Sequence, residues 1–398
     1  MRGLYTLAIR AYATAVKAAA LFGNPKAKLW VEGRKKSTEP SDDQSQWVWF
    51  HAASLGEFEQ GRPLIEALKQ THPQLKVSLT FFSPSGYEIR KNYPLADEVL
   101  YLPIDTMHNA RQWVDRHHFV AAFFIKYEFW FNYMTALEER QIPLYYISLI
   151  LKPEQYFFKW YGGWFRKQLR HVTHFFVQDD TTLKLLNGIG FDNVTRCGDT
   201  RFDRVAAIAQ QAKRFPDIEA FINGRKCIIA GSSWQPDEKL LIPYIERLPE
   251  DYCMIIAPHD IGEKHLQQIR KSLQSVDPDK VYLIETVGIL SQLYQYARFV
   301  YIGGGFGVNI HNIQEPVTFG CPVVFGPKYK SFKEAVDLVK MKGAFSINNQ
   351  DELNEVFDRL INDEALYQQA SETCREYLKS QLGATEVILE KITSTFSV

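Results

Sequence analysis

A chain of 398 residues exceeds what one hydrophobic core supports, since cores stop growing near roughly 250–300 residues, so two domains are expected. Hydrophobic residues at 46% and charged residues at 23% are the mixture of a folded globular protein and exclude a disordered chain. The 46 basic residues balance 46 acidic ones, which removes the basic excess a nucleic-acid partner would require. Five scattered cysteines (Cys197, Cys227, Cys253, Cys321, Cys374) with no CxxC argue against a disulfide scaffold or structural zinc and fit a reducing compartment.

The zero net charge conceals an asymmetric start. Residues 1–36 hold eight basic residues (Arg2, Arg10, Lys17, Lys26, Lys28, Arg34, Lys35, Lys36) and only Glu32 on the acidic side, so this arm carries +7 and the remainder −7. Between Leu4 and Phe22 it is Ala-rich and otherwise mostly apolar, a good helix former. A charge interrupts the first apolar run and no small-residue cleavage site follows, so no cleavable signal peptide is expected. Arg10 and Lys17, seven apart, share a helix face. Placing each at mid-bilayer costs about 2.5–3.5 kcal/mol, which disfavours a span and favours a helix lying in the interface. The competing reading is a soluble amphipathic helix capping the first domain.

The polar stretch Ser37–Ser45 reads as a linker. Short apolar runs at Trp47–Phe50, Lys76–Phe82, Glu98–Leu102, Val120–Ile125, Leu144–Ile150 and His174–Val177 read as strands, with helical patterns at Leu64–Gln70, Trp130–Arg140 and Leu183–Leu186 between them. A second series follows: strands at Cys227–Ala230, Met254–Ala257, Val281–Ile284, Phe299–Ile302 and Val323–Phe325, helices at Glu238–Leu248, Glu263–Leu273, Leu290–Ala297 and Phe332–Met341. The last fifty residues are helical in pattern. Strands alternating with helices imply parallel sheets covered on both faces. The expected architecture is α/β, with two doubly wound Rossmann-like domains facing a central cleft, because ligands bind outside strand C-termini. The expected segments are a basic arm (1–36), a first domain (37–208), a crossover (209–225) and a second domain with a helical tail (226–398).

Small and polar residues accumulate after the strands. His51-Ala-Ala-Ser54-Leu-Gly56-Glu57 follows the first and opens a helix. Glu57 so placed is a candidate general base on a hydroxyl; the Ser54–Glu57 spacing equally fits a capping box. Ser83-Pro-Ser85-Gly86 is a turn-like loop. Lys126-Tyr127-Glu128-Phe129-Trp130-Phe131-Asn132 puts charges at the end of an apolar strand, where they meet water or a polar substrate. In the second half, Gly303-Gly304-Gly305-Phe306-Gly307 follows a strand and is expected to precede a helix, which would aim backbone N–H groups at an anion. Neither GxGxxG nor a P-loop is present. Asn312 and Glu315, three apart, would share a helix face, and a carboxylate there can hold a ribose diol. Gly198 to Asp203, Gly231-Ser232-Ser233, Pro258-His259 and Gly326-Pro327-Lys328 are weaker signals. No HExxH or Cys/His cluster calls for a metal.

This order of motifs resembles the 3-deoxy-D-manno-octulosonic acid (Kdo) transferases of lipopolysaccharide synthesis, in His51 to Glu57, Ser83 to Gly86, 126–132, Gly198 to Asp203, Gly303–Gly305, His311-Asn-Ile-Gln-Glu-Pro316 and Gly326-Pro327. The resemblance implies a GT-B glycosyltransferase fold. It implies inverting transfer of Kdo from CMP-Kdo to a hydroxyl of the lipid A precursor, with no cofactor or bound metal, at the cytoplasmic face of the inner membrane. Glu57 would be the base. Ser232, His259, Gly303, Gly304, Gly305, Asn312 and Glu315 would bind the donor; Ser54, Gly56, Ser85, Lys126, Glu128 and Lys152 would bind the acceptor. Three departures stand out. Lys126 replaces the family's usual Glu, His259 stands where the Arg of Pro-Arg-His is usual, and Lys152 offers the positive charge of an altered acceptor segment. A UDP-sugar transferase and a non-catalytic nucleotide-binding module are the alternatives; CMP-against-UDP competition separates the first, and binding without turnover marks the second.

Overall fold

A computed structural model of the chain describes residues 1–35 and 44–396; Lys36 and residues 37–43 of the expected linker lie outside them. The chain forms two compact units, Met1–Asp203 with Leu382–Val398, and Arg204–Gln381.

The first unit carries seven strands: β1 (Gln46–Ala52), β2 (Lys76–Phe81), β3 (Glu98–Tyr101), β4 (His118–Ile125), β5 (Leu144–Leu149), β6 (His174–Val177) and β7 (Val194–Arg196). Their order is β3-β2-β1-β4-β5-β6-β7 and every pairing is parallel. Side chains alternate across a strand: Trp47 and Trp49 enter one core with Trp113 and Tyr133, whereas Val48, Phe50 and Ala52 enter the other with Phe58 and Leu64. Both faces are covered, which is why β1 reads as a continuous apolar run.

The basic arm is part of this unit. Its helices α1 (Arg2–Leu21) and α2 (Pro25–Gly33) pack on each other, and α1 is fastened by polar contacts. Arg2 donates to Thr135 Oγ1 at 2.8 Å, and Tyr5 Oη donates to Asp105 Oδ2 at 2.5 Å. Asp105 is buried and also accepts the backbone N–H groups of Asn132 and Tyr133. The separate arm expected from charge is therefore a docked pair of helices. Leu4, Leu7, Leu21 and Phe22 nevertheless remain exposed. Among the described residues no helix is long and apolar enough to cross a membrane.

The second unit carries β8 (Lys226–Ser233), β9 (Tyr252–Pro258), β10 (Val281–Leu283), β11 (Ala297–Ile302), β12 (Val323–Phe325) and β13 (Ala344–Ser346), in the order β10-β9-β8-β11-β12-β13, again all parallel. Ile228, Tyr244, Met254, Phe299 and Phe357 fill one of its cores.

Two expected boundaries shift. The crossover at 209–225 lies inside the second unit, which starts at Arg204 and includes helix Pro216–Ile222. The helical tail is split: helix Ala384–Phe396 returns to the first unit, where Ile388, Ile392 and Phe396 pack with Phe50 and Phe123. Charge and periodicity cannot distinguish which of two cores an amphipathic helix joins. Both sheets are doubly wound, and together they give the expected α/β, GT-B class of fold.

Candidate active site

In each sheet the winding direction reverses once, between β1 and β4 in the first unit and between β8 and β11 in the second. The loops leaving such neighbours diverge and open a crevice at the strand C-termini, the usual ligand position in doubly wound sheets. The expected motifs fall there. Glu57 follows β1 and Lys126 to Trp130 follow β4; Ser232 to Trp234 end β8, and Gly303 to Gly305 follow β11.

At the first reversal, Glu57 lies in the opening turn of helix α3 (Leu55–Thr71). The carboxylate reaches back one residue past the cap. Ser54 is the N-cap but its side chain makes no capping bond, while Glu57 Oε2 accepts the N–H of Ala53 at 2.5 Å. Burial pushes the Glu57 carboxyl up to about 7, with the Glu128 charge adding to this; the Ala53 N–H and the Lys126 cation oppose it. A carboxyl poised near neutrality is suited to proton transfer.

Glu128 is buried and belongs to a ring of hydrogen bonds. Its Oε2 lies 3.0 Å from His51 Nε2, and the Trp130 indole N–H is shared between Glu128 Oε2 at 2.7 Å and His51 Nε2 at 2.9 Å. Thr80 decides the tautomer. Its hydroxyl donates to the Phe50 carbonyl and accepts from the Trp49 indole, so its contact with His51 Nδ1 at 2.9 Å assigns a hydrogen to Nδ1. Nε2 is then an acceptor, and the Trp130 indole N–H lies between it and Glu128 Oε2. These hydrogen bonds hold His51, Glu128 and Trp130 together beside Glu57.

The other acceptor-side candidates are placed as follows. Lys126 has a left-handed backbone (φ 59°) at the end of β4, and its Nζ lies 5.8 Å from the Tyr127 ring. Gly56 is exposed in the first turn of α3. Ser85 Oγ hydrogen-bonds Ser83 Oγ at 2.6 Å and is the first turn of the next helix. Lys152 follows β5, with its backbone N–H on Gln155 Oε1. Glu57 lies within electrostatic reach of both Glu128 and Lys126. Buried Asp199, from Gly198 to Asp203, is ion-paired with Arg201 at 2.6 Å; burial alone would raise its pKa, but Arg201 holds it below the ordinary value.

At the second reversal the glycines serve packing. A Cβ on Gly303 would lie 2.2 Å from the Ser232 carbonyl oxygen, and one on Gly305 would lie 2.7 Å from the backbone of Gly326. The Gly304 N–H is taken by Asp237 Oδ2 at 2.9 Å, and the same carboxylate accepts the Tyr301 hydroxyl and the Trp234 N–H. No helix follows directly: the next begins at Gln314. The expected helix terminus aimed at an anion is thus replaced by a tight backbone crossing locked by a buried carboxylate. Ser232, also left-handed (φ 53°), forms the opposite side of this crossing.

Three rings from three separate loops stack above it. Trp234 and His259 have centroids 4.7 Å apart, and His259 and His311 are 4.2 Å apart. The Trp234 indole donates to His311 Nε2 at 2.8 Å. Burial, with His259 beside it, lowers the His311 pKa to about 4. His311 is therefore neutral near pH 7, accepting at Nε2 and donating at Nδ1. Asn312 Nδ2 donates to Glu315 Oε1 at 3.1 Å, and burial raises the Glu315 pKa. Trp234 and Asp237 were missed in the sequence. Their only signal was position just after the strand that ends in Gly231-Ser232-Ser233, Trp234 as the cap and Asp237 in the first turn of helix Gln235–Ile245.

Two doubly wound parallel sheets in one chain, with polar loops at both reversals, define a fold of the GT-B class. The sequence is similar to the Kdo transferases. Residues 26–204 match the family model described as 3-deoxy-D-manno-octulosonic-acid transferase. The Kdo transferase of Aquifex aeolicus is 24% identical over 79% of this chain and 86% of its own length; that of Haemophilus influenzae is 22% identical over 87% and 86%. Among solved structures, a UDP-GlcNAc 2-epimerase from Neisseria meningitidis shares the fold with a TM-score of 0.63 at 15% identity, covering 88% of this chain and 100% of its own.

Proposed function

We propose that the protein transfers Kdo from CMP-Kdo to a hydroxyl of a lipid A precursor, with inversion. The carrying observation is Glu57: a carboxyl at the first sheet's winding reversal, held near neutrality by burial and a neighbouring carboxylate. The acceptor oxygen forms the new bond to the anomeric carbon, its proton passes to Glu57, and CMP departs with the electrons of the broken C–O bond. Positive charge develops on the sugar, and hydrogen-bond donors around the leaving phosphate favour its departure. Residues of the first unit supply the base and acceptor contacts; His259, His311 and the Asn312–Glu315 pair supply donor contacts. Lys126 and Lys152 suit a phosphorylated acceptor.

A lipid substrate agrees with the exposed Leu4, Leu7, Leu21 and Phe22 on a basic, docked helical pair. We place the protein peripherally on the cytoplasmic face of the inner membrane. Incubation with freshly generated CMP-Kdo and a tetraacylated lipid A precursor is expected to yield a product heavier by one or more Kdo residues in mass spectrometry. Absence of any such product, with CMP-Kdo intact, refutes the assignment.

A further inference from the structure

Between the helical pair and helix Met107–Val114 lies a cavity of about 360 Å³, lined by Lys17, Trp30, Arg34, Lys35, Asn109 and Trp113 among others. It is distinct from the Glu57 loop. Among the described residues its lining includes three cations and no carboxylate. Arg34 lies 3.7 Å over the Trp30 ring and also faces Phe82 and Tyr101. Its nitrogens donate to the carbonyls of Leu102, Trp30 and Phe82, so its hydrogen bonds are largely met by neutral groups. No Arg34 ion pair exists among the described residues, and burial lowers its pKa to about 9. A guanidinium withdrawn from water without a counter-ion is costly and is stabilised by an anion.

Two further donors point the same way. The indole Nε1 atoms of Trp30 and Trp113 are buried and have no hydrogen-bond partner among the described residues, although both rings line the cavity. Buried indole N–H groups ordinarily find an acceptor. Unmatched cations beside unmatched neutral donors fit an oxyanion with several acceptor oxygens, and the volume exceeds what phosphate alone requires. The surroundings indicate what carries it. Leu21, one helical turn beyond Lys17, and the adjacent Phe22 are 88% and 92% exposed.

We infer that this cavity binds the phosphate headgroup of a membrane lipid, seating the helical pair on the bilayer at a defined site apart from the catalytic loop. The inference rests on the membrane reading above and is independent of the donor and of the base.

Vesicle cosedimentation of the full chain tests it, using phosphatidylcholine alone and phosphatidylcholine with phosphatidylglycerol, with glycerol 3-phosphate titrated calorimetrically in parallel. Wild-type protein is expected to bind the anionic vesicles far more tightly than the neutral ones, and more tightly than glycerol 3-phosphate. Each basic residue near a membrane contributes about 1 kcal/mol through diffuse attraction, roughly fivefold in affinity. Lys28→Gln, on the same helical pair but outside the cavity, measures that general loss. Lys17→Gln is expected to lose at least threefold more. Trp113→Phe changes no charge yet is expected to weaken anionic binding several-fold while leaving thermal unfolding near wild type. Equal losses for Lys17→Gln and Lys28→Gln, with Trp113→Phe folded and unaffected, overturn the site and leave only diffuse attraction. Binding of glycerol 3-phosphate as tight as that of vesicles overturns the lipid assignment in favour of a soluble phosphate. Equal partition to neutral vesicles overturns the headgroup and leaves the apolar face alone, a result that says nothing against Kdo transfer.

Discussion

Glu57 is acidic enough to be charged above neutrality and buried enough to be a competent base at it. Glu57→Gln removes the proposed proton acceptor while keeping size and a carbonyl acceptor for the Ala53 N–H. Turnover is expected to fall by about 10²–10⁴, with CMP-Kdo affinity within about twofold of wild type, in steady-state kinetics and donor titration. The pH profile carries the sign. In the proposed role the working form is the carboxylate, so kcat is expected to be lost as pH falls through about 7 and regained above it, and the variant to lose this limb. Lys126 pulls the carboxyl down. Lys126→Met is therefore expected to move the limb to higher pH; a limb that stays put or moves to lower pH assigns the titration to another group. Stability follows the opposite course. A carboxyl whose folded pKa is raised favours the folded state at low pH and loses that contribution as pH rises through about 7, so Glu57→Gln is expected to raise Tm at alkaline pH relative to wild type.

At the level of strands and loops, the glycines at the second reversal separate packing from binding. Gly305→Ala drives a Cβ against the Gly326 backbone, where no flexible side chain can yield. Overpacking of this kind costs about 1–3 kcal/mol, and chemical denaturation is expected to show it without CMP-Kdo present. Unchanged stability with lost donor binding would instead assign the glycine to the ligand. This distinction was not legible in the sequence, where Gly303–Gly305 read as an anion loop before a helix. The strands were legible because burial on both faces makes each an apolar run closed by polar residues. The exceptions were β7 (Val194–Arg196) and β13 (Ala344–Ser346), three-residue edge strands that leave most side chains partly exposed and so carry no such run. Glu57 was legible because its position follows from one strand end alone. The Trp234–His259–His311 stack was not, since it joins the ends of β8 and β9 to a residue eight positions beyond Gly303. Neighbourhood of that kind is set by sheet order, which local pattern does not encode.

For the molecule as a whole, the assignment of the last helix has a measurable consequence. Ile388 and Ile392 are fully buried in the first unit, with Phe396 alongside, although the chain between them and Asp203 folds as a separate body. The junction is secured by Asp203, whose carboxylate oxygens each accept a backbone N–H at 2.7 Å, from Gly383 and Thr385. Burying each of those three side chains contributes about 1.5–3 kcal/mol, and their sum is comparable to the roughly 5–15 kcal/mol that stabilises an ordinary domain. Ending the chain at Gln381 is therefore expected to lower the unfolding transition of the first unit sharply while that of the second, which keeps every residue of its own core, stays near its original temperature. Calorimetry resolves the two, and a truncation read only from the sequence pattern, with the tail in the second domain, predicts the reverse assignment. Asp203→Asn, which weakens the junction but leaves the helix in place, should lower the same transition by a smaller amount. If the second transition moves in both variants while the first holds, helix Ala384–Phe396 stabilises the other core and the division of the chain at Gln381 is wrong.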